Sequence, residues 1–141
     1  ISSWIDHERL NNKMPEPLKI DVRDTPWQIP SNILDSLQGI ISINMIHIAP
    51  WQCTESLFKE SSKILKERRF LLFYGPFKIK NKHTSESNKL FDNSLKKQNN
   101  DWGVRNLENV NEQAMINGFN QEQIIEMPSN NIILIYRKVS L

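Results

Sequence analysis

The chain has 141 residues, 24% of them charged, with a formal net charge of +2. That length sets one domain at most, large enough to bury a core, and the near balance of charge leaves no electrostatic footprint for nucleic acid or an acidic membrane. A single cysteine, Cys53, excludes an internal disulfide framework and suits a reducing, cytoplasmic compartment.

No apolar run is long enough to cross a bilayer. The start, Ile1-Ser2-Ser3-Trp4-Ile5-Asp6, lacks the basic and apolar pattern of a signal peptide. Ile1, Trp4 and Ile5 share a helix face at once, with no cap before them. The chain is therefore expected to begin inside an element of a longer protein.

Residues 1–12 read as the end of an amphipathic helix, closed by Asn11, Asn12 and Pro15. Leu18-Lys19-Ile20-Asp21-Val22 alternates apolar and polar, which predicts a strand. Asp24, Pro26 and Pro30 make the next segment a loop, packed down by Trp27 and Ile29. Ile40-Ile41-Ser42-Ile43-Asn44-Met45 is nearly continuous and apolar, as suits a parallel strand buried on both faces. Pro50 fits the start of a helix that carries Cys53, Leu57, Phe58, Ile64 and Leu65 on its inner face. Arg69 to Tyr74 is the next buried strand, stopped by Gly75-Pro76.

The Lys78-Ile79-Lys80-Asn81-Lys82 patch is short and reads as a solvated loop. Ser87 is expected to cap a short helix with Leu90, Phe91 and Leu95, broken by the polar run from Lys96 to Asp101. Asn106 is placed to cap another, with Leu107, Val110 and Ala114 inside and Gly118 at its stop. Two strands follow, roughly Gln123–Met127 and Ile132–Arg137. Only Pro128-Ser129-Asn130-Asn131 separates them, which forces an antiparallel pair. The alternation argues for an α/β sheet with helices on both faces. Each polar cluster begins where an apolar run stops, and in open α/β sheets ligands bind beyond the carboxyl ends of the strands.

Asn44 to Trp51 (Asn-Met-Ile-His-Ile-Ala-Pro-Trp), Tyr74-Gly75-Pro76-Phe77-Lys78, His83-Thr84-Ser85-Glu86-Ser87-Asn88, Phe91-Asp92, Trp102-Gly103 and Met127 to Asn131 occur in a fixed order. In that order and spacing they resemble the methyltransferase-like-26 family, a branch of the class I S-adenosylmethionine-dependent methyltransferases. The resemblance covers nearly the whole chain. It implies a Rossmann-like sheet of strand order 3-2-1-4-5-7-6, mostly parallel, with a terminal antiparallel pair. The chain departs from that pattern upstream. Its glycines, Gly39, Gly75, Gly103 and Gly118, are too far apart to form the Gly-rich turn that lets such folds approach the cofactor. Residues 1–141 are thus expected to be the C-terminal portion of one domain that enters just before strand three, lacks strands one and two, and carries an insertion over about 78–103, the missing half belonging to a longer protein or, alternatively, being supplied by another chain.

The resemblance also implies roles. Asp21 and Val22 would meet the adenine of S-adenosylmethionine, with Asp24 as a nearby competitor. A loop-capping Asp beside a core Val is the plain alternative. Asn44 and Met45 would lie near the methionine end of the cofactor, unless Asn44 only holds its own turn. His47 is a candidate general base and Tyr74 a second candidate catalytic residue. Positioning alone lowers much of the barrier to methyl transfer, so a base is optional. Trp51, Lys78, His83, Ser87, Asn88, Trp102, Arg105, Asn130 and Asn131 are candidates for contact with a small-molecule acceptor. The plain alternatives are a solvated surface excursion anchored by Phe91 for the residues after the Arg69–Tyr74 strand, packing of the insertion against the sheet for Trp102 and Arg105, and turn chemistry for Asn130 and Asn131.

His7, His47 and His83 lie too far apart for a tight metal set, and no Gly-x-Ser-x-Gly elbow is present. Neither a metal site nor a hydrolase is expected. The leading expectation is methyl transfer, with these residues alone inactive. The alternatives are a non-catalytic binding or structural protein that keeps the fold, and a nicotinamide-dependent fragment, against which the terminal antiparallel pair argues.

Overall fold

A computed structural model describes residues 1–139. Two short helices precede the sheet, α1 (Ser2–His7) and α2 (Ser31–Ser36). The first is shorter than the periodicity of residues 1–12 predicts. Leu18–Val22 forms no strand. A lone strand is marginal without a neighbour to take its backbone hydrogen bonds. None of the described residues pairs with it as a strand. Instead the segment closes on itself: the Asp21 carboxylate accepts from the Arg23 N–H at 2.9 Å. Trp27 pins the segment down. Its indole N–H donates to the Val22 carbonyl at 3.1 Å, and its backbone N–H to Oε1 of the buried Glu60 at 3.3 Å.

The apolar run Gly39–Ile43 is β1. Asn44 breaks it in a left-handed conformation (φ 55°), and a single 3-10 turn, Met45–His47, follows. Pro50 then occupies the N-cap of α3 (Trp51–Ile64), and the chain returns as β2 (Phe70–Gly75). The helical crossover makes β1 and β2 parallel, with Ile41 opposite Leu72 and Ile43 opposite Tyr74.

A small hairpin, β3 (Lys78–Ile79) and β4 (Lys82–His83), follows β2. It is followed by α4 (Glu86–Gln98). Ser85, not Ser87, caps α4, accepting from the Asn88 N–H at 3.1 Å. The helix also runs through Lys96, because that side chain reaches back one turn to the buried Asp92 instead of breaking the element. Asn106 stands at the N-cap of α5 (Leu107–Ile116), but its side-chain oxygen accepts from the Asn81 N–H and so ties the hairpin to the helix. Gly118, at φ 75°, turns the chain into β5 (Phe119–Met127). A 3-10 turn, Pro128–Asn130, leads to β6 (Asn131–Lys138).

The sheet order is β1-β2-β6-β5. β6 is antiparallel to both neighbours, so β1, β2 and β5 run in one direction. This is the 4-5-7-6 part of the expected order, and the short connection does enforce the antiparallel pair. α3 and α5 contribute to the core on one face, where Phe58 packs on Phe73 and Tyr136 at ring separations of 5.2 and 5.6 Å. Removing a ring as buried as Phe58 costs about 3–5 kcal/mol.

The opposite face does not match the expectation of helices on both sides. Ile41, Leu72 and Ile135 align across it, as do Ile43, Tyr74 and Ile133, yet Ile41 and Ile43 are 60% and 62% exposed. The two sheet edges also differ. β5 carries Glu122, Glu126 and a register shift between Gln121 and Gln123, devices that discourage further pairing. β1 carries no charge, no proline and no bulge, and its free side borders an apolar groove lined by Ile20, Trp27, Leu37 and Ile40.

Candidate functional site

β1, β2 and β5 all end on the same side of the molecule, and the polar clusters collect there. Asn44 leaves β1, Gly75-Pro76 leaves β2, and Ser129-Asn130-Asn131 joins β5 to β6. Together with Ser87, Asn88 and Phe91 of α4 they line a cleft of about 560 Å³. Asn44, Ser129 and Asn130 all have φ between 55° and 60°. Non-glycine residues in the left-handed region store strain, and such residues cluster at functional sites.

The cleft is cross-braced by amides. Nδ2 of Asn88 donates to the Asn130 carbonyl at 2.9 Å and to Thr84 Oγ1 at 3.0 Å. Nδ2 of Asn131 donates to the Tyr74 hydroxyl oxygen at 3.1 Å. Ser87 Oγ lies 2.9 Å from Ser85 Oγ and accepts weakly from Asn130. Ser87, Asn88, Asn130, Asn131 and Asn44 are therefore brought together, with Tyr74 attached to them through Asn131.

A second hollow, of about 420 Å³, opens on the other side of Met45. Asp21, Val22, Met45, Ile48, Cys53 and Trp102 line it, with Arg23 at its rim. Arg23 holds the exposed Asp21 carboxylate by a side-chain ion pair at 2.6 Å and a backbone hydrogen bond, which lower its pKa to about 2. Burial pushes the Cys53 thiol up, so it stays neutral and apolar. Trp102, expected with the acceptor contacts, stands instead beside Asp21, Val22 and Met45.

The other candidates have different places. His47 is fully buried. Its Nδ1 accepts from the Arg105 N–H at 3.3 Å, its carbonyl accepts from the Gly103 N–H at 2.9 Å, and its ring meets Phe77 edge-on at 5.0 Å. Burial, with the Arg105 charge, lowers its pKa to about 3. The neutral ring thus carries its proton on Nε2, beside Gly75 and Asn44. The Arg105 guanidinium donates to the carbonyls of Ile46, Ala49 and Asp101 and lies 5.7 Å from the centre of the Trp51 ring. Trp51 and Arg105 thereby fasten the post-β1 turn to the segment between α4 and α5.

Lys78 and His83 converge on Asp92, 3.9 and 3.2 Å from Oδ2, alongside Lys96 at 2.7 Å. Burial raises the Asp92 pKa, but the Lys96 ion pair, the Val104 N–H and Lys78 outweigh it and hold the carboxyl below its ordinary value. Sequence reading did not single out Asp92 as a site residue. Its signal was the Phe91-Asp92 motif standing between a Lys/His-rich hairpin and Gly103. No group of three or more His, Cys, Asp or Glu capable of holding a metal occurs among the described residues. No helix among them is long and apolar enough to cross a membrane.

Comparison with solved structures places this architecture among methyltransferase folds. The mitomycin 7-O-methyltransferase MmcR matches with a TM-score of 0.80 at 14% identity, over 98% of this chain and 38% of that one. An O-methyltransferase family protein from Burkholderia thailandensis matches with a TM-score of 0.73 at 11% identity, over 99% of this chain and 40% of that one. Human N-acetylserotonin methyltransferase, solved with SAM, matches with a TM-score of 0.69 at 14% identity, over 87% and 33%. The chain spans about 33–40% of the length of these three proteins. At such identities the likeness shows the fold: a Rossmann-like class I methyltransferase sheet. The sequence itself matches one family model over residues 1–138, and the chain belongs to that family, described as "Protein of unknown function (DUF938)".

Proposed function

We propose that this chain forms part of an S-adenosylmethionine-dependent methyltransferase of the methyltransferase-like-26 type, acting on a small molecule. One observation carries this reading: two hollows flank the Asn44-Met45 step at the carboxyl end of β1. The hollow of about 420 Å³ has the chemistry of an adenine site. The Asp21 carboxylate would accept from the exocyclic amine, and Val22 and Met45 would pack on the ring. Trp102 would close the wall. Asn44, between the hollows, would face the amino acid end of the cofactor. When bound, S-adenosylmethionine supplies a methyl group made electrophilic by its sulfonium.

The residues of the cleft would then bind and orient the acceptor. Ser87, Asn88, Asn130 and Asn131 offer hydrogen-bonding groups around Phe91. The Tyr74 hydroxyl accepts from Asn131 and keeps its own proton free to donate. His47 has no exposed surface, so its part in this reading is to fix the turn between the hollows. Positioning and exclusion of water would supply most of the rate. The unprotected β1 edge and the apolar sheet face support a further element of the proposal. The remaining strands and helices of the domain would lie there, with most of the ribose and methionine contacts.

Titrating S-adenosylmethionine into the full-length protein by calorimetry tests this. Binding that weakens at least about tenfold in Asp21→Ala is expected. The absence of heat at millimolar ligand would retire the reading. A non-catalytic protein that keeps the fold is the second reading. The Asp21–Arg23 ion pair favours it, because it already occupies the carboxylate.

A further inference from the structure

The cleft at the end of β1 has a marked polarity. None of the side chains that line it is ionisable. The basic side chains Lys78, His83 and Lys96 are drawn to Asp92 instead. The side-chain amide donors of Asn88 and Asn131 are also spent, whereas Asn44 contributes an amide with no side-chain hydrogen bond among the described residues. Asn88 uses Nδ2 on Thr84 and the Asn130 carbonyl, and Asn131 uses Nδ2 on Tyr74 and the Pro128 carbonyl. A carbonyl cannot donate, so the bonds to the Asn130 and Pro128 carbonyls fix which end of each amide is nitrogen. The Oδ1 atoms of Asn88 and Asn131 are left without a hydrogen-bond donor among the described residues. Around Asn88 and Asn131 the cleft therefore presents acceptors.

The amino end of α4 also lies here, and a helix amino terminus ordinarily favours an anion. Two features offset it. Ser85 Oγ takes the Asn88 N–H, and Glu86 stands in the first turn. The adjoining groove, between β4 and the β5–β6 turn, holds one carboxylate, Glu126, which is exposed. An anion placed in the cleft would lose water and meet oxygen lone pairs with no cation to pair with. A cation would find no buried counter-ion. Phe91 and Pro76 add a flat apolar wall.

We infer that the molecule bound between α4 and the β5–β6 turn is an uncharged aromatic or heteroaromatic compound that donates hydrogen bonds through O–H or N–H, and carries no carboxylate or phosphate. This rests on the reading that the cleft holds the methyl acceptor. The neutral donor satisfies the open amide oxygens, and its ring lies on Phe91.

Three probes of one shape test it: 4-hydroxybenzamide (neutral), 4-hydroxybenzoate (anionic) and tyramine (cationic). Each is titrated into full-length protein while the side-chain NH₂ resonances of Asn88 and Asn131 are followed by NMR. The neutral probe should shift both resonances and bind at least about tenfold more tightly than the other two. Asn131→Asp, isosteric and negative, should move the preference to tyramine. Benzoate binding as well as the benzamide, or no probe moving these resonances, overturns the inference. A parallel titration with S-adenosylmethionine separates the two levels. If the cofactor binds and benzoate is preferred, only the acceptor class is wrong. If the cofactor does not bind, the methyl-acceptor reading falls, and the inference with it.

Discussion

The backbone N–H of Val104 donates to Oδ1 of Asp92 at 2.7 Å, joining the segment before α5 to the middle of α4. The same carboxylate holds Lys78, His83 and Lys96. Asp92→Asn keeps the shape but removes the charge, and should cost about 1.5–3 kcal/mol by urea denaturation. The wild-type contribution has a defined pH window. A lowered folded pKa means the stabilisation is complete above the ordinary carboxyl value of 3.8 and is lost as pH falls through the folded value. Asp92→Asn should therefore flatten the acid limb of the stability profile, and an unchanged limb would contradict the assignment.

His47 acts at higher pH. Its folded pKa of about 3 lies below the ordinary 6.5, so the unfolded chain binds the extra proton on acidification. Stability should fall by about 1.5 kcal/mol between pH 6.5 and 5. His47→Gln should lose that slope. Denaturation midpoints at the two pH values decide it.

Gly75 sits where no side chain fits. A Cβ there would come within 2.6 Å of His47 Nε2 and 2.8 Å of Asn44 Oδ1. Gly75→Ala should cost about 1–3 kcal/mol through overpacking and should displace Asn44. The expected signature is weakened cofactor binding in a protein that still unfolds cooperatively. Unchanged cofactor affinity would separate Asn44 from the site.

The β1 edge makes a separate prediction. Ile43 is 62% exposed among the described residues. If further strands and helices cover it in the full-length protein, Ile43→Lys should destabilise that protein by about 2 kcal/mol or more. A change within about 0.5 kcal/mol, the usual range for a surface substitution, would show that this face stays open.

Much of the sheet was legible because its signals are local. The continuous apolar runs before Asn44 and Gly75 mark β1 and β2, and four residues between two strands leave only an antiparallel pairing. Leu18–Val22 forms no strand because alternation describes a half-buried surface, not a partner, and no described strand pairs with this segment. The length of α4 was misread because Lys96 looks like the start of a solvated run until its link to Asp92 is seen. Candidate residues separated best where chain ends and turns fix them. Asn44, Asn88 and Asn131 line one cleft although the end of β1, α4 and the β5–β6 turn lie far apart in sequence. Lys78, His83 and Arg105 take other partners, because sequence spacing does not show which carboxylate or carbonyl a basic side chain will find.

The most direct test of the account is a crystal structure of the full-length protein with S-adenosylhomocysteine. The adenine should lie against Asp21, Val22 and Met45, with the sulfur directed past Asn44 toward the amide-lined cleft. Adenine density elsewhere, or a further element of the protein filling the hollow beside Met45, would contradict it.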